Sequence, residues 1–168
     1  FHNGVQVNMG EGGDIFQQLQ KPPPIIKNIN LTIEQAFHGA TVPVEIEKWT
    51  IINNNKVNEK ELVHIVIPKG VDNGEMIIIR DKGNMINENL KGDLKLIFNI
   101  ENNSEFIRSG LDIIYKKKIS LKEALCGFSF NVKHLNGHQM CLNNSTKRNV
   151  IKPNYQKIVP NLGFSKEG

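Results

Sequence analysis

The chain has 168 residues and a formal net charge of +4, with 39% hydrophobic and 23% charged residues. This length and composition describe a globular chain that can hold one large domain or two small ones. No apolar stretch approaches membrane-spanning length, the first residues lack a signal-peptide pattern, and the charge is too dilute to argue for nucleic acid. We therefore expect a cytoplasmic protein with neither a membrane nor a nucleic-acid partner.

Residues 1–24 predict a flexible linker. Glycines are scattered among Phe, Asn and Gln without hydrophobic periodicity, and Pro22–Pro24 closes the segment. Glycine-rich sequence favours a mobile chain, and consecutive prolines favour an extended, stiff spacer into the next domain.

Residues 25–105 predict a first β-rich domain. A helix-like segment, Leu31–Gly39, precedes an alternating run in which Val42, Val44 and Ile46 share one face of a strand. The remaining predicted elements are a loop at Asn53–Asn55, a strand at Leu62–Ile67 that is apolar on both faces and so central, and strands at Met76–Ile79 and Asp93–Ile100.

Residues 106–168 repeat this pattern at an offset of 88 residues. Leu31–Gly39 aligns with Ile119–Gly127, apolar residues meet apolar residues, and the alanine and final glycine of the two copies are identical. Such a separation predicts two tandem domains rather than a solenoid. The second copy predicts a hairpin turn at Asn136–Gly137 and a last strand at Gln156–Val159. The sequence stops where the counterpart of Asp93–Ile100 would begin, so we expect an incomplete second domain.

The sequence does not predict an enzyme, a metal site or a cofactor site. It lacks the metalloprotease, serine-hydrolase and phosphate-loop motifs. His134, His138 and Cys141 resemble a ligand set only superficially, because they flank a predicted hairpin turn. Cys126 and Cys141 form no CxxC pair, which excludes a zinc ribbon.

Several motifs, in their order and spacing, resemble the C-terminal client-binding region of a DnaJ-family (J-domain) co-chaperone over Ile25–Gly168. The first 24 residues are similar to the Gly/Phe linker of that family. The chain has no His-Pro-Asp tripeptide of a J-domain, no dimerisation helices and no cysteine-rich zinc insertion, whose place Asn53–Asn58 takes as a short loop. The motifs are the repeated helix, Ile67–Gly74 with Ile79–Gly83, Gly92–Leu94, Phe106–Asp112 and Leu135–Met140.

The resemblance implies an all-β fold of two tandem DnaJ C-terminal-type β-sandwich domains, each with one short helix, the second truncated, of the zinc-free subtype. It also implies a non-enzymatic co-chaperone in protein folding and the stress response. Such a protein binds unfolded or extended hydrophobic segments and transfers them to a DnaK-type (heat-shock) ATPase. The parent protein would be a homodimer whose dimerisation segment this chain lacks.

The resemblance also implies two binding sites. A hydrophobic client groove falls on Ile29, Val44, Ile46 and Leu96, although alternation alone makes these residues ordinary inward-facing core. The acidic tail of the ATPase partner would bind Lys48 and Lys60, for which solvated strand-end charges are the alternative. A different class of function also stays open, a basic β-sandwich adaptor that binds nucleic acid or an acidic protein surface through Lys116–Lys118.

Overall fold

The computed structural model describes residues 21–145 and 149–166, in which β-strand is the main secondary structure. The all-β fold expected from the sequence is confirmed. No helix among these residues is long and apolar enough to cross a membrane. The elements are β1 (Ile25–Thr32), α1 (Ile33–His38), β2 (Ala40–Ile52), β3 (Asn55–Ile67), β4 (Met76–Ile79), β5 (Met85–Asn87), β6 (Leu90–Lys91), β7 (Leu94–Glu101), β8 (Phe106–Ser109), β9 (Asp112–Tyr115), α2 (Leu121–Cys126), β10 (Ser129–Lys133) and β11 (Gln139–Asn143).

The described residues divide into two compact units. The first unit comprises residues 21–28, 43–63 and 76–97, and the second comprises residues 29–42, 64–75, 98–145 and 149–166. The second unit therefore takes residues from both of the domains expected from the sequence. The domain boundary expected between Glu105 and Phe106 stays a prediction.

The two helices confirm the sequence repeat. Each begins with a capping box: in α1 the Thr32 hydroxyl accepts a hydrogen bond from the Gln35 N–H and the Gln35 side chain accepts one from the Thr32 N–H. Ser120 and Glu123 make the same reciprocal pair in α2. Reciprocal capping satisfies donors that a helix start leaves unpaired, which lets segments of only six residues form helices within a folded chain.

The longest strands belong to two sheets. One has three strands in the order β1-β7-β4, and the other has four in the order β3-β2-β5-β6. Strand β3 lies at an edge, and Leu62 and Val66 on it are exposed. The expectation of a central strand at Leu62–Ile67 is therefore wrong. Apolar residues on both faces of a strand do not ensure that other elements pack against both faces.

The tight turns differ from those expected. Asn53 and Asn54 have φ values of 50° and 60°, so β2 and β3 are joined by a two-residue turn with the left-handed backbone of type I′. The short loop expected over Asn53–Asn58 is thus largely strand.

At the expected Asn136–Gly137 hairpin turn, the His134 N–H donates to the His138 carbonyl at 2.8 Å, which encloses three residues. In this loop Gly137 alone has positive φ, at 86°, as in the three-residue hairpins that end in a left-handed residue.

The ends of the expected elements also differ. Residues 1–20 of the expected linker lie outside the described residues. Pro22 is buried in the first unit, and the Pro23 carbonyl accepts a hydrogen bond from the Asn84 side chain at 3.2 Å, so the proline run packs on the unit rather than acting as a spacer. Gln156–Val159 forms no strand, because no strand among the described residues pairs with it.

Candidate functional site

The four residues of the expected client groove are core residues. Ile29 on β1 and Val44 on β2 each expose 6% of their surface, and Ile46 on β2 and Leu96 on β7 expose none. Ile29 belongs to the second unit, and the other three belong to the first. The structure thus places all four where alternation alone puts them, on the inward faces of their strands.

This burial sets a condition on the groove assignment. A side chain without exposed surface contacts a client only after the chain that covers it moves away. The groove role of Ile29, Val44, Ile46 and Leu96 therefore stays a prediction that depends on local opening of the sheet.

The outward face of the three-stranded sheet carries exposed aliphatic side chains. In the antiparallel β4–β7 pair, Met76 lies opposite Ile97 and Ile78 lies opposite Lys95, so these residues share one side. Met76 and Ile78 are each 49% exposed, and Ile26, outward on β1, is 62% exposed. We call these five residues the outer sheet face. The sequence does not reveal this face, because four consecutive apolar residues at Met76–Ile79 do not indicate which side of the strand is covered.

Strand β4 is also an edge of its sheet. It pairs with β7 on one side and has no strand on the other among the described residues. An edge strand presents unpaired N–H and carbonyl groups, to which an extended segment can add as a further strand. Unpaired backbone groups and exposed aliphatic side chains therefore occur on the same strand.

The two lysines expected to bind an acidic tail are already paired with carboxylates. Lys60 Nζ lies 3.0 Å from Glu45 Oε1 and 3.2 Å from Glu47 Oε1, and Lys48 Nζ donates to Glu61 Oε2 at 2.5 Å. The hydrogen bond to Glu45, then that to Glu47, raises the pKa of Lys60 above its ordinary value. The hydrogen bond from Lys48 lowers the pKa of Glu61. An incoming carboxylate would compete with these partners rather than meet unpaired ammonium groups.

A hydrogen-bonded arginine in the second unit was not anticipated. Arg108 on β8 donates to the carbonyls of Val71 at 2.6 Å, Gly70 at 2.9 Å and Gly110 at 2.9 Å, and to Asp72 Oδ1 at 2.6 Å. Its guanidinium also lies 4.0 Å from the centroid of the Phe164 ring. A planar guanidinium donates hydrogen bonds to several backbone carbonyls at once, which the ammonium group of a lysine in its place does not do. The sequence signal was present in the Phe106–Asp112 motif, but nothing in it showed that the arginine turns inward.

His134 lies at the centre of an aromatic cluster in the same unit. Its ring lies 5.5 Å from that of Phe37 and 5.8 Å from that of Phe106, both edge to face. Its Nδ1 accepts from the Asn136 N–H at 3.1 Å, and its Nε2 donates to the Leu162 carbonyl at 2.8 Å. Both ring nitrogens thus have partners, and the packing role of this histidine explains its proximity to the hairpin without a ligand.

Comparison with known proteins agrees with the fold. The family model described as the DnaJ C terminal domain matches residues 25–168. DnaJ homolog subfamily B member 5 of Homo sapiens is 28% identical over 144 residues, which is 84% of this chain and 40% of the human protein. DnaJ protein homolog 1 of Allium porrum is 33% identical over 164 residues, which is 96% of this chain and 38% of the leek protein.

A third relative, DnaJ protein homolog 1 of Drosophila melanogaster, is 27% identical over 170 residues, which is 96% of this chain and 50% of the fly protein. The chain thus spans half or less of the length of these curated relatives.

Proposed function

The chain belongs to the family of DnaJ C-terminal domains, and on that premise we propose that it is the client-binding part of a non-enzymatic co-chaperone. It would bind unfolded or extended hydrophobic segments and deliver them to a DnaK-type ATPase in the cytoplasm. The observation that carries this proposal is the outer sheet face, where exposed aliphatic side chains adjoin a strand edge that no described strand covers.

The energetics of this face suit weak and unselective binding. Covering a fully exposed Ile or Met side chain contributes about 1.5–3 kcal/mol, and the side chains here have only about half of that area to cover. Ordering a disordered client and removing its translational freedom cost a comparable free energy. Strand addition at β4 would contribute backbone hydrogen bonds that make no demand on client sequence. A single site should therefore bind at micromolar strength or weaker, and a dimeric parent would gain affinity through avidity.

The outer sheet face is tested by a double substitution, Met76→Ser with Ile78→Ser. Because both side chains are about half exposed, the fold should survive while binding to a fluorescent, permanently unfolded client weakens about tenfold. The matched control is Ile107→Ser with Ile114→Ser, which removes similarly exposed aliphatic groups from β8 and β9 and should leave the dissociation constant within about twofold. Equal weakening in both double variants would exclude a specific site on the outer sheet face.

The same titration examines the predicted groove. Leu96→Val removes one methylene from a fully buried position and should change client binding little as long as the variant remains folded. If Leu96→Val weakens binding more than the Met76 and Ile78 pair does, the client site lies at the buried groove after all, and the outer sheet face is not the site.

For the partner tail, we propose docking at Lys48 and Lys60 in competition with the neighbouring carboxylates. Glu45→Gln with Glu47→Gln would release Lys60 from both of its ion pairs, and a short acidic peptide should then bind several-fold more tightly. The control, Glu88→Gln with Glu101→Gln, makes the same change in net charge at exposed sites elsewhere. Tighter binding in the control as well would show that net charge, rather than Lys60, governs the affinity.

The zinc-free subtype is part of this proposal. The chain contains two cysteines, and the position at which the resemblance places the zinc insertion is a two-residue turn between β2 and β3. A tetrahedral zinc site of the Cys₄ kind needs twice as many thiolates.

A further inference from the structure

The net charge of +4 conceals a strongly uneven distribution along the chain. Residues 106–168 contain eleven lysines and arginines against three acidic residues, whereas residues 25–105 contain nine against twelve. The C-terminal part thus carries a net charge of +8, and the part before it carries −3. The net charge of the whole chain does not reveal this uneven distribution. The expectation of no nucleic-acid partner rests on that whole-chain net charge.

The lysine run at Lys116–Lys118 differs from three lysines of the first unit in having no carboxylate partner among the described residues. In the first unit, Lys48, Lys60 and Lys82 all form ion pairs with glutamates of the same unit. Lys116–Lys118 are exposed, directly follow β9, and form no ion pair of 4 Å or less with any described residue. Glu123 lowers their local charge only in part, and its carboxylate accepts the Ser120 N–H in the helix cap. The lysine run therefore projects nearly uncompensated positive charge.

Aromatic rings adjoin this run. Tyr115 immediately precedes it, its ring centroid lies 6.3 Å from that of Phe130, and Phe130 stacks on Phe128 at 5.3 Å with an interplanar angle of 26°. All three residues are half-buried, so part of each residue remains open to solvent. Lys117 Nζ lies 5.1 Å from the centroid of the Phe130 ring. We call Tyr115, Phe128, Phe130 and Lys116–Lys118 the basic-aromatic face.

We propose that the basic-aromatic face binds single-stranded nucleic acid without sequence selectivity. Lysines neutralise backbone phosphates, and partly exposed rings accept bases by stacking, which is the combination that proteins use for single strands. An acidic polypeptide would also be attracted by Lys116–Lys118, but it would not stack on the aromatic rings as bases do. The proposal adds a second ligand to the chain and does not depend on where clients bind.

The number of lysines sets the expected salt dependence. Three neutralised phosphates give a slope of log K against log salt of about −2 for a single strand, so affinity should fall roughly 20-fold between 50 and 200 mM salt. Lys116→Gln, Lys117→Gln and Lys118→Gln together should remove most of the affinity and most of the slope. Phe128→Leu, which keeps the site apolar, should weaken binding several-fold while leaving the slope unchanged.

The experiment is a fluorescence-anisotropy titration of the whole chain with a labelled 20-nucleotide oligouridylate. A matched triple variant, Lys27→Gln with Lys69→Gln and Lys91→Gln, makes the same change in net charge outside the basic-aromatic face. Loss of binding in the first triple variant, with binding retained in the second, supports the proposal.

Three outcomes would overturn it: no binding at 50 mM salt, equal losses in the two triple variants, or polyglutamate binding as tightly as the oligonucleotide. The last of these would identify an acidic protein surface as the partner instead. Lys116–Lys118, Lys27 and Lys69 are exposed and Lys91 is half-buried, so circular dichroism should show both triple variants folded.

Discussion

Replacing Arg108 by alanine should destabilise the protein more than replacing any exposed arginine. The Arg108 side chain is 14% exposed, and two of its acceptors, the carbonyls of Gly70 and Val71, belong to buried residues. A buried carbonyl left without a donor costs about 1–3 kcal/mol. By contrast, the Asp72 side chain is 50% exposed and Gly110 is exposed, so losing those two bonds should cost little.

The expected loss of stability in Arg108→Ala is the sum of these contributions. Two orphaned carbonyls, together with the lost packing of the guanidinium on Phe164, give about 3–5 kcal/mol. With a urea m value of about 2 kcal/mol per molar, the unfolding midpoint should fall by roughly 2 M. Arg108→Lys retains the charge but not the planar fork, and should lie between wild type and Arg108→Ala.

Urea unfolding followed by circular dichroism tests this reasoning. Arg80→Ala is the matched control, because Arg80 is exposed and makes no side-chain hydrogen bond or ion pair with the described residues. Its substitution should change the free energy of unfolding by less than about 0.5 kcal/mol. If Arg108→Ala costs less than about 1 kcal/mol, or no more than Arg80→Ala does, then the hydrogen bonds of Arg108 do not hold the second unit together.

Three further substitutions test separate parts of the structure. The hydrogen bond from Lys166 lowers the pKa of Asp72 below its ordinary value, and the charge of Arg108 lowers it further. The ion pairs of Asp72 therefore stabilise the fold above about pH 4, and this stabilisation is lost as pH falls. The difference in urea midpoint between wild type and Asp72→Asn should therefore shrink between pH 6 and pH 3, and a constant difference would contradict this. Gly70→Ala should destabilise the fold by more than Gly74→Ala, measured by thermal unfolding. Both glycines have positive φ, at 75° and 79°, but only at the first would a Cβ lie 2.5 Å from a backbone carbonyl. Ser120→Ala removes the cap of α2 and should cost about 1 kcal/mol in the same assay, and an unchanged melting temperature would show that the cap contributes nothing measurable.

Local sequence signals predicted the elements that depend on local interactions. Both helices appear where the repeat places them, and β4 has the bounds Met76–Ile79 that its run of apolar residues indicated. The turns show where this reasoning fails. Asn136–Gly137 has the favoured dipeptide of a two-residue turn, yet the pairing of His134 with His138 sets a three-residue loop, and it is Asn53–Asn54 that forms the two-residue turn. At Asn136–Gly137 the register of the adjoining strands β10 and β11, in which Lys133 pairs with Gln139, decides the length of the loop rather than the dipeptide alone.

The candidate sites were harder to predict for a related reason. Alternation divides a strand into two faces, but it does not say what covers each face. Leu96 and Ile97 are neighbours on β7, and one is fully buried while the other belongs to the outer sheet face. A family resemblance identifies equivalent positions, but it does not show how exposed their side chains are. It therefore assigned the groove to Leu96 without showing that this side chain has no exposed surface.

The same distinction determines which substitutions can identify the client site. An aspartate at Leu96 or Val44 would place a carboxylate in the core, and an unpaired buried charge costs several kcal/mol, a large fraction of the 5–15 kcal/mol that stabilises a typical domain. Such a variant would lose client binding by unfolding, whether or not clients touch that residue. Substitutions at Met76 and Ile78 do not carry this ambiguity, because their side chains already face water. A loss of binding there, in a variant that unfolds at the wild-type urea concentration, reports on contact with the client alone.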